Sequence, residues 1–391
     1  MSHVSRLALA SPLVLLAAAP ALADETSVEA EAYTLELQTV YEGLTHPWAL
    51  AFISDDRFLV TERDEGTLRA GTRDGEMSDP IWEAEDLFHF EGETPRSQSG
   101  MFDIQLHPDF DDNGYAYVSY SRMTDHGAAL VVVRGTVSEG ENGVEFSDVE
   151  DIFVMKEEDQ DSSGLHFGGR MAFQPDGTLF LSIGERRNLE RAQDAADQAG
   201  AILRMTDQGA AHDDNPSFEV EDENGESDPY IYSIGHRNIQ ALAVHPTTNE
   251  VWAVDHGPEG GDEINLVEAG NNYGWPFLTG GVDYSGAPIG VGLSMEGMIS
   301  PVHVFEDTVA PSGLLFLPEG TQFGEWAGDM LIGGMMTEGV VRVRFEGGEV
   351  VAEEAIELGH RVRDVRLGPD GDLWMVTDAD DGAVLRLSVE E

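Results

Sequence analysis

Six times along the chain an alternating apolar run leads into a tight turn and out into a second apolar run. The copies span 49–61, 102–120, 171–184, 241–255, 313–333 and 365–377. Their turns carry Ser54-Asp55-Asp56, Asp112-Asn113-Gly114, Pro175-Asp176-Gly177, Pro246-Thr247-Thr248, Pro318-Glu319-Gly320 and Pro369-Asp370-Gly371. Pro-Asp-Gly and Asn-Gly suit hairpin turns, because Gly or Asn adopts positive φ at little cost. Alternation such as Thr178-Leu179-Phe180-Leu181-Ser182-Ile183 suits strands. Successive turns lie about 50 to 70 residues apart, room for four short strands and their loops, which is the unit of a propeller blade. Six units predict an all-β, six-bladed β-propeller of four-stranded antiparallel blades. A pair of β-sandwiches is the alternative, and six related units favour the ring. Ring closure predicts that 33–41 and 383–389 pair in one composite blade. The one helical signal is short, at 192–201.

Composition narrows function. The chain has 391 residues, 21 Lys+Arg against 75 Asp+Glu, and a formal charge of −54. Its single lysine is Lys156. That balance argues against nucleic acid as a partner and against anionic lipid. Two readings of the acidity remain, adaptation to high salt and cation-binding loops, and the first suits the bulk of the charge. Cysteine is absent, which removes disulfides, zinc–thiolate sites and cysteine nucleophiles. Arg6, the apolar run 7–19 and Ala21-Leu22-Ala23 have the form of a cleavable export signal. The reading is a signal peptide over 1–23 and one propeller domain over 24–391, periplasmic or secreted, with no membrane insertion, and monomer or homodimer.

Several motifs could carry chemistry. Asp109-x-Asp111-x-Asn113-Gly114 imitates a calcium loop, but Tyr120 stands where Glu is needed, so it reads as a hairpin turn. His107-Pro108 and His245-Pro246 occupy equivalent repeat positions and read as turn histidines. His166 in His166-Phe167-Gly168-Gly169-Arg170 lies on a loop entering a strand; a lone histidine is usually structural, yet this placement suits a general base. Asp255-His256-Gly257-Pro258-Glu259-Gly260-Gly261-Asp262-Glu263 offers carboxylates and carbonyls to a hard cation, or is simply an acidic Gly-rich loop; composition leaves these level. Arg361 and Arg363 share one strand face and suit a carboxylate or phosphate, with ion pairing to local acids as the default. No nucleotide loop, Gly-x-Ser-x-Gly elbow or His-Glu-x-x-His helix occurs.

Taken with Gly43-Leu44-x-x-Pro47-Trp48, the run Gly235-His236-Arg237-Asn238 to Asn271-Asn272-Tyr273-Gly274-Trp275-Pro276, and Val376-Thr377-Asp378, these motifs resemble the soluble quinoprotein sugar dehydrogenases, especially the bacterial aldose sugar dehydrogenase branch. The resemblance covers nearly the whole chain after 1–23. It implies pyrroloquinoline quinone (PQQ) and calcium as cofactors, an aldose sugar as substrate, a lactone as product and an external electron acceptor. It implies His166 as the base, Arg237 as the stabiliser of charge on the reduced quinone, and Gln98 beside base and sugar. Gln193, Asn238, Arg361, Arg363 and Asp378 would be cofactor-side residues. Gly257 and Pro258 would ligate the PQQ-bound calcium, and Asp262, Glu263 and the Tyr273 carbonyl a structural calcium. Two positions depart from the family: no lysine occurs in Gly333-Gly334-Met335-Met336-Thr337-Glu338, and Leu165 replaces the Asp that precedes the histidine in the glucose dehydrogenase branch. A metal-dependent lactonase-type hydrolase and a non-catalytic sugar-binding propeller are the competing readings.

Overall fold

The computed structural model describes residues 25–90, 97–140, 143–220 and 225–390. The expected signal peptide lies outside them. Six antiparallel sheets follow one another along the chain, five of four strands and one of five. Their first strands are Pro47–Phe52, Met101–Leu106, Met171–Phe173, Ile239–Val244, Pro311–Phe316 and Val362–Leu367. Each of these packs against the next, and the sixth packs against the first, so they line the inside of a closed ring. The expected six-bladed propeller is therefore the fold. Among the described residues no helix is long and apolar enough to cross a membrane.

The expected closure is present. In the sixth blade, Gly382–Val389 is followed by Thr34–Leu44, with Leu35 opposite Val389 and Leu37 opposite Leu387. Glu25–Glu29 adds a fifth, outer strand. Across the joint between blades six and one, Trp374 packs edge-on to Phe52 with ring centroids 5.2 Å apart and tilts against Phe58 at 5.9 Å. Aromatic contacts of this kind add about 0.5–1.5 kcal/mol beyond the area they bury.

Local details correct one expectation and refine another. The segment 192–201 is not a helix: a 3-10 turn covers Leu189–Gln193, and Ala201 already begins the strand Ala201–Met205. Asp109 to Gly114 is a single helical turn, Phe110–Asn113, ended by Gly114 at φ 67°. A Cβ at Gly114 would lie 2.9 Å from the Val137 carbonyl oxygen. The turn histidines do hold turns: His107 Nδ1 accepts from the Asp109 amide at 3.0 Å, and His245 Nδ1 from the Thr247 amide at 3.2 Å.

One side chain joins the whole ring. Arg170, at the entrance to blade three, is 1% exposed. Its guanidinium stacks 3.9 Å from the Trp48 ring of blade one. It reaches Asp103 Oδ1 of blade two at 3.4 Å and donates to the Gln240 carbonyl of blade four at 2.8 Å. It also meets Ser312 Oγ of blade five at 3.3 Å, and Asp364 Oδ1 and the Arg363 carbonyl of blade six at 3.0 and 2.7 Å. Arg366 completes the group, with Nε 2.8 Å from Asp364 Oδ2 and a terminal nitrogen 3.1 Å from Asp103 Oδ1.

Candidate active site

Against this axial group lies a cavity of about 470 Å³, walled by residues of all six blades. Five of the expected residues line it: Gln98, Asn238, Arg361, Arg363 and Asp378. His166 lies between two lining residues, Leu165 and Phe167, and is itself 4% exposed, with its amide donating to Gln98 Oε1 at 2.8 Å. The backbone there is constrained. His166 has φ 50°, a region L-residues occupy at a cost of about 1–3 kcal/mol and most often at functional sites. A Cβ at Gly184 would come within 2.3 Å of the His166 carbonyl oxygen, so this close approach requires glycine.

That approach brings in a residue the sequence reading did not select. His166 Nδ1 lies 2.5 Å from Glu185 Oε2. Burial pushes the Glu185 carboxyl up to about 7. Burial, and then the charges of Arg237, Arg187 and Arg186, hold His166 well below the ordinary histidine value. The pair is thus an uncharged imidazole beside a carboxyl that titrates near neutrality, which suits a base whose tautomer is set by its partner. Arg186 braces the segment by donating to the Leu165 carbonyl at 2.9 Å and stacking 3.5 Å from the Phe167 ring.

The opposite wall is cationic. Arg361 and Arg363, two residues apart, both reach Asp378 Oδ2, at 3.3 and 2.9 Å. Arg63 approaches Asp378 Oδ1 at 3.4 Å and His46 Nδ1 lies 2.8 Å from it. These cations hold Asp378 far below the usual carboxylate range, despite its burial, and the bond to Asp378 raises His46 above its ordinary value. One carboxylate therefore faces three guanidiniums and an imidazole. Arg63 and His46 were not anticipated, because only the fold carries them to Asp378.

Arg237 and Asn238 are fixed by a buried Asp255, whose oxygens accept their amides at 2.8 and 2.6 Å. Arg237 also donates to the His256 carbonyl at 2.9 Å. It borders a second, small cavity with Asp255, His256, Gly257 and Glu263. Asp255 and Glu263 are cross-strand partners, and burial pushes them to about 7 and about 8. Two carboxyls in such a place call for a proton or a cation.

The remaining expected residues stand apart from both cavities. Gln193 is engaged by Asn272 and the Trp275 carbonyl, at 2.7–3.0 Å. Asp262 accepts three amides, from Gly257, Val309 and Ala310, and so fixes the loop backbone. Tyr273 stacks on His236 with centroids 4.9 Å apart, and its hydroxyl donates to the Leu266 carbonyl. Pro258 packs against Gly281, where a Cβ would meet its Cδ at 2.9 Å. Among the described residues no three His, Asp or Glu side chains converge as a metal cage, so a cation here would depend on backbone carbonyls as well.

Comparison with known proteins identifies relatives over nearly the whole described chain. The glucose/sorbosone dehydrogenase family profile matches residues 44–386. The aldose sugar dehydrogenase of Escherichia coli K12 is 35% identical over 361 residues, 91% of this chain and 93% of that one. The crystal structure of the soluble E. coli aldose sugar dehydrogenase in its apo form superposes with a TM-score of 0.82 at 35% identity, over 91% of this chain and 100% of that one. The PQQ-bound aldose sugar dehydrogenase of Streptomyces coelicolor gives a TM-score of 0.70 at 26% identity, over 95% and 100%.

Proposed function

The chain belongs to the glucose/sorbosone dehydrogenase family, and on that premise we propose that it oxidises aldose sugars at C1 to lactones, using PQQ and calcium and passing electrons to an external acceptor. The observation that carries this reading is the His166–Glu185 pair held behind Leu165 and Phe167, which line a cavity that also carries Arg361 and Arg363. The S. coelicolor relative was solved with PQQ bound, which supports the choice of cofactor.

The cavity suits a tricarboxylate. Arg361, Arg363 and Arg63 would hold its carboxylates, and guanidinium groups match carboxylates in pairs. The buried Nε of Arg363 has no hydrogen-bond partner among the described residues, leaving a donor for an anion. Gly257, through its carbonyl, and Glu263 are the residues best placed for calcium. When bound, PQQ supplies the hydride acceptor and calcium a Lewis acid that polarises it. His166 takes the proton from the C1 hydroxyl through Nε2. Glu185 holds Nδ1–H and so keeps Nε2 free. Arg237, anchored by Asp255 and His256, brings positive charge to the same centre. Gln98 ties the base to blade two. Export to the periplasm or the medium completes the reading.

Reconstitution tests it. Metal-free protein supplied with calcium and PQQ is expected to oxidise an aldose with an artificial acceptor only when both are present. His166→Asn should cut kcat by about 10²–10⁴-fold, while PQQ binding, followed by tryptophan quenching, stays near the parent value. Full activity in that variant, or turnover without PQQ, would end the proposal.

A further inference from the structure

The loop that follows the small cavity presents an aromatic ring to solvent, and we propose that this residue, Tyr284, is a platform on which the aldose ring stacks. Tyr284 is 60% exposed. An isolated exposed aromatic needs no explanation, but this one is built into place. Its turn is stiff: the Asp283 amide donates to the Ala287 carbonyl at 2.9 Å, and Asp283 Oδ1 accepts the Ser285 amide at 2.9 Å and its hydroxyl at 2.6 Å. The base of the turn is bonded in both directions to the segment of Gly257, through Glu259 and Val282 at 2.9 and 3.1 Å. Contact there is so close that a Cβ at Gly281 would lie 2.3 Å from the Gly260 carbonyl oxygen.

This mount aims the ring at the reaction centre. Arg237 donates to the Tyr284 hydroxyl at 3.4 Å. Arg187, which lines the large cavity and depresses the basicity of His166, lies with its guanidinium carbon 5.6 Å from the ring centroid. Tyr284 thus stands between two cations that flank the proposed base, with much of its ring uncovered. A pyranose has one apolar C–H face and a rim of hydroxyls. A tyrosine offers a matching apolar face and one polar tip, and the neighbouring guanidiniums supply donors for hydroxyls. The Tyr284 ring would select for sugars that present an uninterrupted C–H face.

The inference rests on the dehydrogenase reading, and its test separates the two. The full-length protein loaded with PQQ and calcium is assayed with a panel of aldose hexoses and pentoses, and Tyr284→Ala and Tyr284→Phe are assayed with the best of them. For Tyr284→Ala, KM should rise roughly three- to tenfold, with a smaller change in kcat and with PQQ affinity by fluorescence titration at the parent value. Tyr284→Phe keeps the ring and should recover most of the loss. An unchanged KM in Tyr284→Ala overturns the platform. So does a Tyr284→Phe variant as impaired as Tyr284→Ala with kcat lost, because the hydroxyl's hold on Arg237 would then be the role. A parent enzyme that oxidises no aldose overturns the dehydrogenase reading itself.

Discussion

Arg363 and Asp364 are neighbours in sequence, yet their side chains serve two buried charge groups of opposite character. Asp364 points into the axial group, where Arg170 and Arg366 face Asp103 and Asp364, two positive charges against two negative. Arg363 points into the cavity, where it joins Arg361, Arg63 and His46 around the buried Asp378, while the exposed Asp64 and Asp380 pair with Arg63 and His46 at the rim. The residue types are the same and the balance differs. Buried charges are tolerated when paired. The axial group is complete within the protein and ties the blades together. Inside the cavity three guanidiniums face one buried carboxylate, in a chain with a formal charge of −54. Such an excess makes sense where an anion is to arrive. Charge balance, more than the presence of arginine, separates scaffold from site.

The comparison breaks most readily at the axis. Arg170→Leu leaves Asp103 and Asp364 short of a partner, and should lower the unfolding free energy by about 3–5 kcal/mol, read from urea midpoints. A loss under about 1 kcal/mol, the range of an exposed pair, would mean that the axial group is not the scaffold it looks to be. At the cavity the readouts should be reversed. Arg361→Gln with Arg363→Gln should weaken PQQ binding by roughly 10²-fold, with a smaller stability change than Arg170→Leu. Unchanged PQQ affinity would remove the cation excess from the argument.

The His166–Glu185 pair sharpens the contrast with a third arrangement, in which a proton is shared. Below about 7, Glu185 holds its proton and donates it to Nδ1, so that Nε2 carries a hydrogen and cannot act as base. Above that point Glu185 is ionised and Nε2 is free. Log kcat/KM is therefore expected to climb with pH and level off above about 7. Glu185→Gln should flatten that limb. A profile in the parent that falls on raising the pH through this range would reverse the assigned proton positions.

The ring was legible because its signal is local and repeated: each Pro-Asp-Gly or Asn-Gly turn sits between strands, and only the number of copies was needed to infer blades. The pairing of Leu35 with Val389 followed from closure. Arg361 and Arg363 were legible as neighbours on one face. What they converge on, Asp378, came from the family resemblance. Glu185 was not legible, because its meeting with His166 depends on Gly184 letting two loops approach. Arg170 stood inside a quoted motif and still passed unnoticed, since its partners come from five other blades. Gln193 and Asp262 show the reverse failure. A polar side chain in a promising motif faces either the site or its own loop, and nothing in the spacing tells which.

The pairing of Thr34–Leu44 with Gly382–Val389 has a consequence in time. A ribosome delivers the first of these strands hundreds of residues before the second. Until the last strand emerges, the circle is an open arc with two raw sheet edges. Closure of the ring therefore waits for the last strand, and Thr34–Leu44 is a guest that waits for its host. Moving the ends of the chain to another gap between blades would relocate that wait without altering the finished ring.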